Sequence, residues 1–300
     1  MLYVVQTALE LGFMYALVAM ALFLSYRILD IADMTTDSGF VLGAAVSVTC
    51  AAAGHPVLAV FAAMAAGACA GYVTAFLQTR MGVPSILAGI ITNTGLYTVN
   101  LMVMGWSSNV SLLKQDTMFT LFRDLGIGGG FYKLILAGGI TMFAGAALVW
   151  FLGTRLGLSI RATGDNRDMV RASSVNPVFT ITVGLCISNA LTALSGAVVG
   201  QYQKSADINS GAGIVVIGLA CLIIGGRRSM GRNVAAAVTG SILYRFLYAM
   251  ILKTSIVPIE CLKLVTAVVV ALAIASPSLR EWAGLQKKKA EAKKRRGQSC

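Results

Sequence analysis

The sequence predicts an all-α polytopic membrane protein, and three observations carry that prediction. Apolar residues make up 57% of the 300 positions and charged residues only 12%, with a mean hydropathy of +0.79, well outside the range of soluble domains. The apolar residues gather into stretches near the length needed to cross a bilayer. Basic residues concentrate in a few of the segments between those stretches, as membrane orientation requires.

About nine such stretches can be counted, near residues 3–26, 38–54, 56–78, 83–104, 131–152, 177–200, 211–226, 233–252 and 258–276, the second and seventh being short. The first follows a start, MLYVVQTALELGF, without the basic region of a signal peptide, and is read as a retained helix. Between the fifth and sixth lies the polar interruption 153–176, GTRLGLSIRATGDNRDMVRASSVN, with Arg155, Arg161, Arg167 and Arg171 against Asp165 and Asp168. The positive-inside rule assigns this loop to the cytoplasm. Alternating outward from it places Arg80, the turn with Arg227, Arg228 and Arg232, and the C-terminus inside, and the N-terminus outside. The 27–37 turn is the exception, since Asp30, Asp33 and Asp37 outnumber Arg27, but acidic residues weigh little in the rule. The organisation predicted is a transmembrane domain over 1–276 and a basic cytoplasmic tail over 277–300.

Between Arg280 and Arg296 that tail carries eight Lys or Arg against two Glu, half of the chain's net +12. A basic segment beside a membrane is attracted to anionic lipid, so the tail implies a lipid surface and not nucleic acid. Cys50, Cys69, Cys186, Cys221 and Cys261 fall in apolar runs, Cys300 ends the chain, and His55 is the single histidine. That pattern predicts neither a metal site nor a disulfide framework.

The spans are rich in small residues, including Gly67-x-x-x-Gly71 and Gly196-x-x-x-Gly200, which let helix backbones approach closely in lipid. An internal repeat adds a topological expectation. DIADMTTDSGFVLGAAVS from Asp30 and KSADINSGAGIVVIGLACL from Lys204 share an Ala-Asp pair, a small polar cluster, a glycine and a short apolar helix. With one copy inside and the other outside, the two predict an inverted repeat of about four spans each, a pattern found in transporters with discontinuous helices.

No G-x-x-x-x-G-K-[ST], H-E-x-x-H or G-x-S-x-G occurs, so the common nucleotide-hydrolysing, zinc-protease and serine-hydrolase motifs do not apply. No cofactor is expected in this chain. In the cytoplasmic loop, Asp165 is predicted to N-cap a short helix over Asn166–Ser173, with Asp168 completing a capping-box-like pattern and Gly164 turning the chain into it. Met169, Val170, Ala172 and Ser173 form a small apolar face on that helix, and Arg167 and Arg171 line another. A helix with a docking face, held between two spans, suits a soluble partner.

The segment RATGDNRDMVRASSVNP, from Arg161, resembles the cytoplasmic coupling segment of the branched-chain amino acid and ribose type permeases of ABC importers. ILDIADMTTDSGFVLGAA from Ile28, ILAGIITNTGLYTVNLMVMG from Ile86 and GAGIVVIGLACLIIGG from Gly211 resemble the same family in the same order, and the fourth stretch and the length resemble tryptophan and tyrosine type uptake permeases. The resemblance implies a permease dimer, of one chain or of two, in the bacterial inner membrane. It also implies a cytoplasmic ATPase carrying ATP and Mg, and an extracytoplasmic substrate-binding protein. Gly164, Asp165, Asn166, Ala172 and Ser173 match the coupling motif, with Arg161 just before it, while Asp168-Met169 departs from the family's usual Glu or small residue.

Polar residues inside spans are candidates for function. Asn93 and Asn100, seven apart on one face of the fourth stretch with Thr92, Thr94 and Thr98 nearby, suit either substrate or helix–helix hydrogen bonds, and Asn189 is equally ambiguous. Glu10, Arg245, Glu260 and Lys263 are expected to pair, for instance Glu10 with Arg245. Asp33 and Asp207, at the breaks of the repeat, are placed to shape a pathway or to cap the helices that follow. The function expected is a permease moving a small solute, an amino acid and aromatic by the narrower resemblance, through alternating access driven by a separate ATPase. An ion-coupled secondary transporter using Asp33 or Asp207, and a membrane scaffold, are the alternatives.

Overall fold

The computed structural model describes residues 2–253, apart from 114, 125, 127–128 and 227–229, and isolated helical positions between 267 and 275. The chain divides at Met250 into two compact units, and the fold described here is that of the first. The ninth apolar stretch, the basic tail, Arg227, Arg228, Glu260, Lys263, Cys261 and Cys300 lie outside the described residues.

Among the described residues, six helices are long and apolar enough to cross a membrane: Tyr3–Ile28, Pro56–Thr79, Ser85–Val103, Gly129–Gly153, Pro177–Gln203 and Asn233–Ile251. They coincide with six of the predicted stretches. Two more, Thr36–Ala52 and Ile214–Gly225, are apolar but shorter, matching the two stretches predicted to be short. In chain order the elements are α1 (Leu2–Leu22, continued by a π-helical turn Phe23–Ile28), α2 (Thr36–Ala52), α3 (Pro56–Thr79), α4 (Ser85–Val103), β1 (Asn109–Ser111), α5 (Met118–Asp124), α6 (Tyr132–Gly153), α7 (Arg155–Asp165), α8 (Arg167–Ala172), α9 (Pro177–Gln203), β2 (Ser205–Asp207), α10 (Ile214–Gly225) and α11 (Met230–Lys253). The strands pair antiparallel, Asn109 opposite Asp207, a small ladder between loops that the all-α expectation did not contain.

Helix α9 is the hub, packed on α1, α2 and α3. Its burial follows from small residues rather than large ones. A side chain at Gly67 would overlap Asn189 and Ala193, and one at Gly196 would overlap the Phe40 carbonyl, so both small-residue motifs sit at backbone contacts. By contrast α4 presents Ile86, Leu87, Ile90, Ile91, Tyr97, Val99 and Met102 outward, and α3 presents Leu58, Phe61 and Tyr72. Apolar faces of that extent belong against lipid or another membrane protein, not water.

The turns at Asp33 and Asp207 share two hydrogen bonds. Each is entered through a non-glycine residue at positive φ, Asp30 (53°) and Lys204 (55°), three positions before the shared aspartate. In the first, Asp33 Oδ1 accepts from the Thr35 N–H at 2.9 Å and the Thr36 hydroxyl donates to the Asp33 carbonyl at 3.2 Å. In the second, Asp207 Oδ1 accepts from the Asn209 N–H at 2.6 Å and the Ser210 hydroxyl donates to the Asp207 carbonyl at 2.7 Å. Each turn leads into a short apolar helix, α2 or α10.

Candidate functional site: the α2 entrance and the α7–α8 helix pair

The seven residues between Ile28 and α2 carry the first of these turns, and around them four of the five predicted pathway residues converge. Asp33 is 3% exposed, and its Oδ2 accepts from Asn189 Nδ2 of α9 at 2.7 Å. Asn93 Oδ1 accepts from the Ser38 backbone N–H at 3.0 Å, the Ser38 hydroxyl donates to the Asn93 carbonyl at 3.0 Å, and Asn100 Nδ2 donates to the Ser38 carbonyl at 3.2 Å. The ambiguity over Asn93 therefore resolves in one direction for its side-chain oxygen, which satisfies one of the orphan N–H groups of the first turn of α2. Asn100 and Asn189 each keep a buried side-chain oxygen without a partner among the described residues. The unpaired oxygens of Asn189, whose amide holds Asp33, and of Asn100, whose amide holds the Ser38 carbonyl, give this entrance unused hydrogen-bonding capacity. Asp207 is not part of the cluster; it holds its own turn and the β ladder.

Asn93→Leu is expected to destabilise the folded chain by about 1–3 kcal/mol, because it orphans the Ser38 N–H, whereas Asn93→Asp keeps the acceptor. Thermal unfolding in detergent, compared for the two variants, checks this.

Asp37, weighed in the sequence only as a charge, links the two repeat segments. It stands in the first turn of α2, yet its Oδ1 accepts from the Val215 N–H at 2.9 Å and its Oδ2 from the Gly213 N–H at 3.2 Å. The carboxylate of one short helix thus caps the N-terminus of the other, where the helix dipole favours negative charge. Asp33 and Asp207 cap their own turns instead, and no pattern in the sequence signalled a cap supplied from 176 to 178 positions away.

Gln201, fully buried near the end of α9, was also missed. It donates to Ser47 Oγ at 2.9 Å and the Pro56 carbonyl at 2.8 Å, and accepts from the Met118 N–H at 2.7 Å. The predicted Glu10–Arg245 pair does not form. Glu10 accepts from Gln6 Nε2 at 2.9 Å and the Tyr202 hydroxyl at 2.8 Å, a turn earlier on α1, while Arg245 lies over the Tyr15 ring.

The segment 153–176 is not a loop with one short helix but two helices. Thr154 caps α7, accepting from the Gly157 N–H at 3.3 Å. Asp165 ends α7 rather than starting the next helix. The cap of α8 is Asn166, extended at φ −159°, whose Oδ1 accepts from the N–H groups of Asp168 and Met169 at 3.0 Å each. The predicted cap is thus displaced by one residue, because α7 continues through Gly164. That glycine does not turn the chain: its missing Cβ lets α7 lie directly on the Ile28 carbonyl and the Leu29 Cα. The predicted apolar face of α8 splits. Val170 is 4% exposed and anchors the helix, whereas Met169 is 68% exposed; Arg161, Asp165, Asn166, Arg171, Ala172 and Ser173 are exposed as well.

The same packing joins the helix pair to the entrance. The Thr163 and Thr180 hydroxyls meet at 2.8 Å, binding α7 to the start of α9. Leu29 sits against Gly184 of α9, with Ile160 of α7 beside it, one residue before Asp30 and four before Asp33. The α7–α8 helix pair, the π-helical turn and the buried entrance therefore form one contiguous packed path.

Comparison with known proteins gives the chain's family. The family described as branched-chain amino acid transport system, permease component, matches residues 4–275. The chain belongs to this permease family. It is 30% identical over 269 residues, 88% of each chain, to the tyrosine transport system permease protein of Clostridioides difficile. It is 32% identical over 278 residues, covering 90% of this chain and 96% of the other, to an uncharacterized protein of Rickettsia prowazekii. The guanosine ABC transporter permease protein NupP of Bacillus subtilis is 26% identical over 246 residues, 78% of this chain and 69% of that one. No solved structure matches. The permease is a multi-pass membrane protein of the ABC transport class.

Proposed function

We propose that this permease forms the translocation pathway of a bacterial inner-membrane ABC importer for an amino acid, with the tyrosine permease relative favouring an aromatic one. ATP and Mg act on a separate cytoplasmic ATPase that grips α8 through Met169, Arg171, Ala172 and Ser173, while an extracytoplasmic binding protein delivers the solute. Two permease chains, identical or paired with a second kind, complete the pathway, and the basic tail rests on anionic lipid. The N-terminus faces outside and the C-terminus the cytoplasm, and the two repeat segments are related as an inverted pair.

The observation that carries this reading is the path through Gly164. Helix α8 is fixed by Val170 and the Asn166 cap, α7 lies on the Ile28–Leu29 backbone, and that backbone leads to Asp33 and the α2 entrance. Force applied at the exposed end of α8 moves packed elements rather than solvent, as a two-state gate needs. Asp33, Asn189 and Asn100 then line the pathway, and Asp207 and Asn93 position its walls.

Gentle purification of the chain from native membranes, with mass spectrometry of its companions and their stoichiometry, tests the partnership. One ATPase copy per permease is expected. A chain recovered with no ATPase, still moving solute in vesicles without ATP, would instead support an ion-coupled transporter.

A further inference from the structure

Arg245 of α11 lies inside the bundle with no hydrogen bond or ion pair to any described residue. Its guanidinium carbon stands 3.5 Å from the centre of the Tyr15 ring and 5.7 Å from that of Tyr248. Its Nε is buried without a partner. The hydroxyl of the neighbouring Tyr244, a residue only 2% exposed, is also buried and without a partner among the described residues, and Tyr244 lies within electrostatic reach of Arg245, Tyr15, Tyr248 and Cys221. Among the described residues these four stand on α1, α10 and α11. None is a carboxylate.

Depth excludes the ordinary explanation of a basic residue reaching for the headgroups. Tyr15 is twelve residues from Tyr3 and thirteen from Ile28, the ends of its span, or about 18 and 20 Å at 1.5 Å per residue. The guanidinium over its ring is therefore near the middle of the membrane, where a charge needs an anion or water. It is also near the pathway: Tyr15 packs on Phe40 at 5.9 Å, three residues after Asp37 on α2, and Ser241, one turn before Arg245, donates to the Gly12 carbonyl at 2.7 Å. Aromatic rings on the guanidinium fix its plane and leave its edge for a planar anion, which a carboxylate matches.

We infer that Arg245, held on Tyr15 and assisted by the Tyr244 hydroxyl, is a subsite for the carboxylate of the transported solute. The inference rests on the amino-acid reading above and specifies which end of the solute this chain recognises.

The test uses the purified full chain in phosphatidylcholine nanodiscs, followed by thermal unfolding with L-tyrosine, tyramine or L-tyrosine methyl ester. L-Tyrosine is expected to raise Tm, while the two analogues lacking the carboxylate leave it unchanged. The shift should vanish in Arg245→Gln and survive in part in Arg245→Lys, which separates ligand binding from a structural role. A shift that persists in Arg245→Gln, an equal shift with tyramine, or no shift with any standard amino acid overturns the subsite. So does an Arg245-dependent shift produced by phosphatidylglycerol alone, which would make the occupant a lipid headgroup, or a non-additive Arg245→Gln and Glu260→Gln pair, which would make it an internal ion pair. Failure of the amino-acid reading looks different. An assembled transporter that moves a carboxylic acid lacking the amino group but no amino acid, beside a carboxylate-dependent shift, would remove that reading and leave the site.

Discussion

Asn166→Ala is expected to weaken association with the ATPase by roughly 5- to 30-fold, the effect of losing about 1–2 kcal/mol of N-cap stabilisation. Helix α8 has six residues, too few to hold their shape without tertiary support. Asn166 satisfies two of its leading N–H groups, and Val170 is its buried anchor. With the cap gone the helix frays and Met169, Arg171 and Ser173 lose their common presentation. The bundle itself is untouched, because Asn166 is exposed. Asn166→Asp should restore binding, since aspartate caps as well as asparagine. Asp165→Lys, which leaves the cap in place, should cost less than Asn166→Ala. Copurification of the ATPase with each variant, at matched helical content, measures all three. Equal copurification of the wild type and Asn166→Ala would remove α8 from the docking surface.

Gly196→Val is expected to abolish folded permease. A Cβ there would overlap the Phe40 carbonyl, a backbone atom of α2 that no rotamer can move aside. Separating α2 from α9 also breaks the Asp33–Asn189 and Gln201–Ser47 bonds that the same interface holds. Overpacking alone costs about 1–3 kcal/mol or more, and the lost buried hydrogen bonds add to it. Gly95→Val is the matched comparison: it adds the same atoms on α4, where nothing lies within 4 Å. The yield of monodisperse protein should collapse for the first and stay near wild type for the second. A Gly196→Val variant that elutes and melts like wild type would contradict the packing described for α9.

What the sequence made legible was governed by local rules. Apolar length located the six helices among the described residues that can cross a membrane and the two short ones. The small-residue motifs at Gly67 and Gly196 marked true backbone contacts. What stayed illegible depends on elements far apart in the chain. Asp37 reads as the first-turn acid of its own helix, yet it caps α10. Glu10 and Arg245 look complementary, but Arg245 meets α1 at Tyr15, more than a turn beyond Glu10, so Tyr202 and Tyr15 are their respective neighbours. The cap of α8 was misplaced by one residue because Asp165 and Asn166 are both good caps. Only the continuation of α7 through Gly164, fixed by its contact with Ile28, chooses between them. Asn93 and Asn100 share a face as their spacing predicts, but which oxygen is spent and which is spare depends on where α2 begins.

The central claim is that ATP used by a separate subunit, acting through α8 and the Gly164 contact, drives transport through this chain. The most direct measurement is uptake of labelled amino acids into proteoliposomes holding the permease with its copurified ATPase and binding protein. The account predicts uptake that requires ATP on the ATPase side, survives ionophores that dissipate ion gradients, and falls at least tenfold in Gly164→Val while basal ATP hydrolysis remains. Uptake that runs on an imposed ion gradient without ATP, or that is unchanged in Gly164→Val, would contradict it.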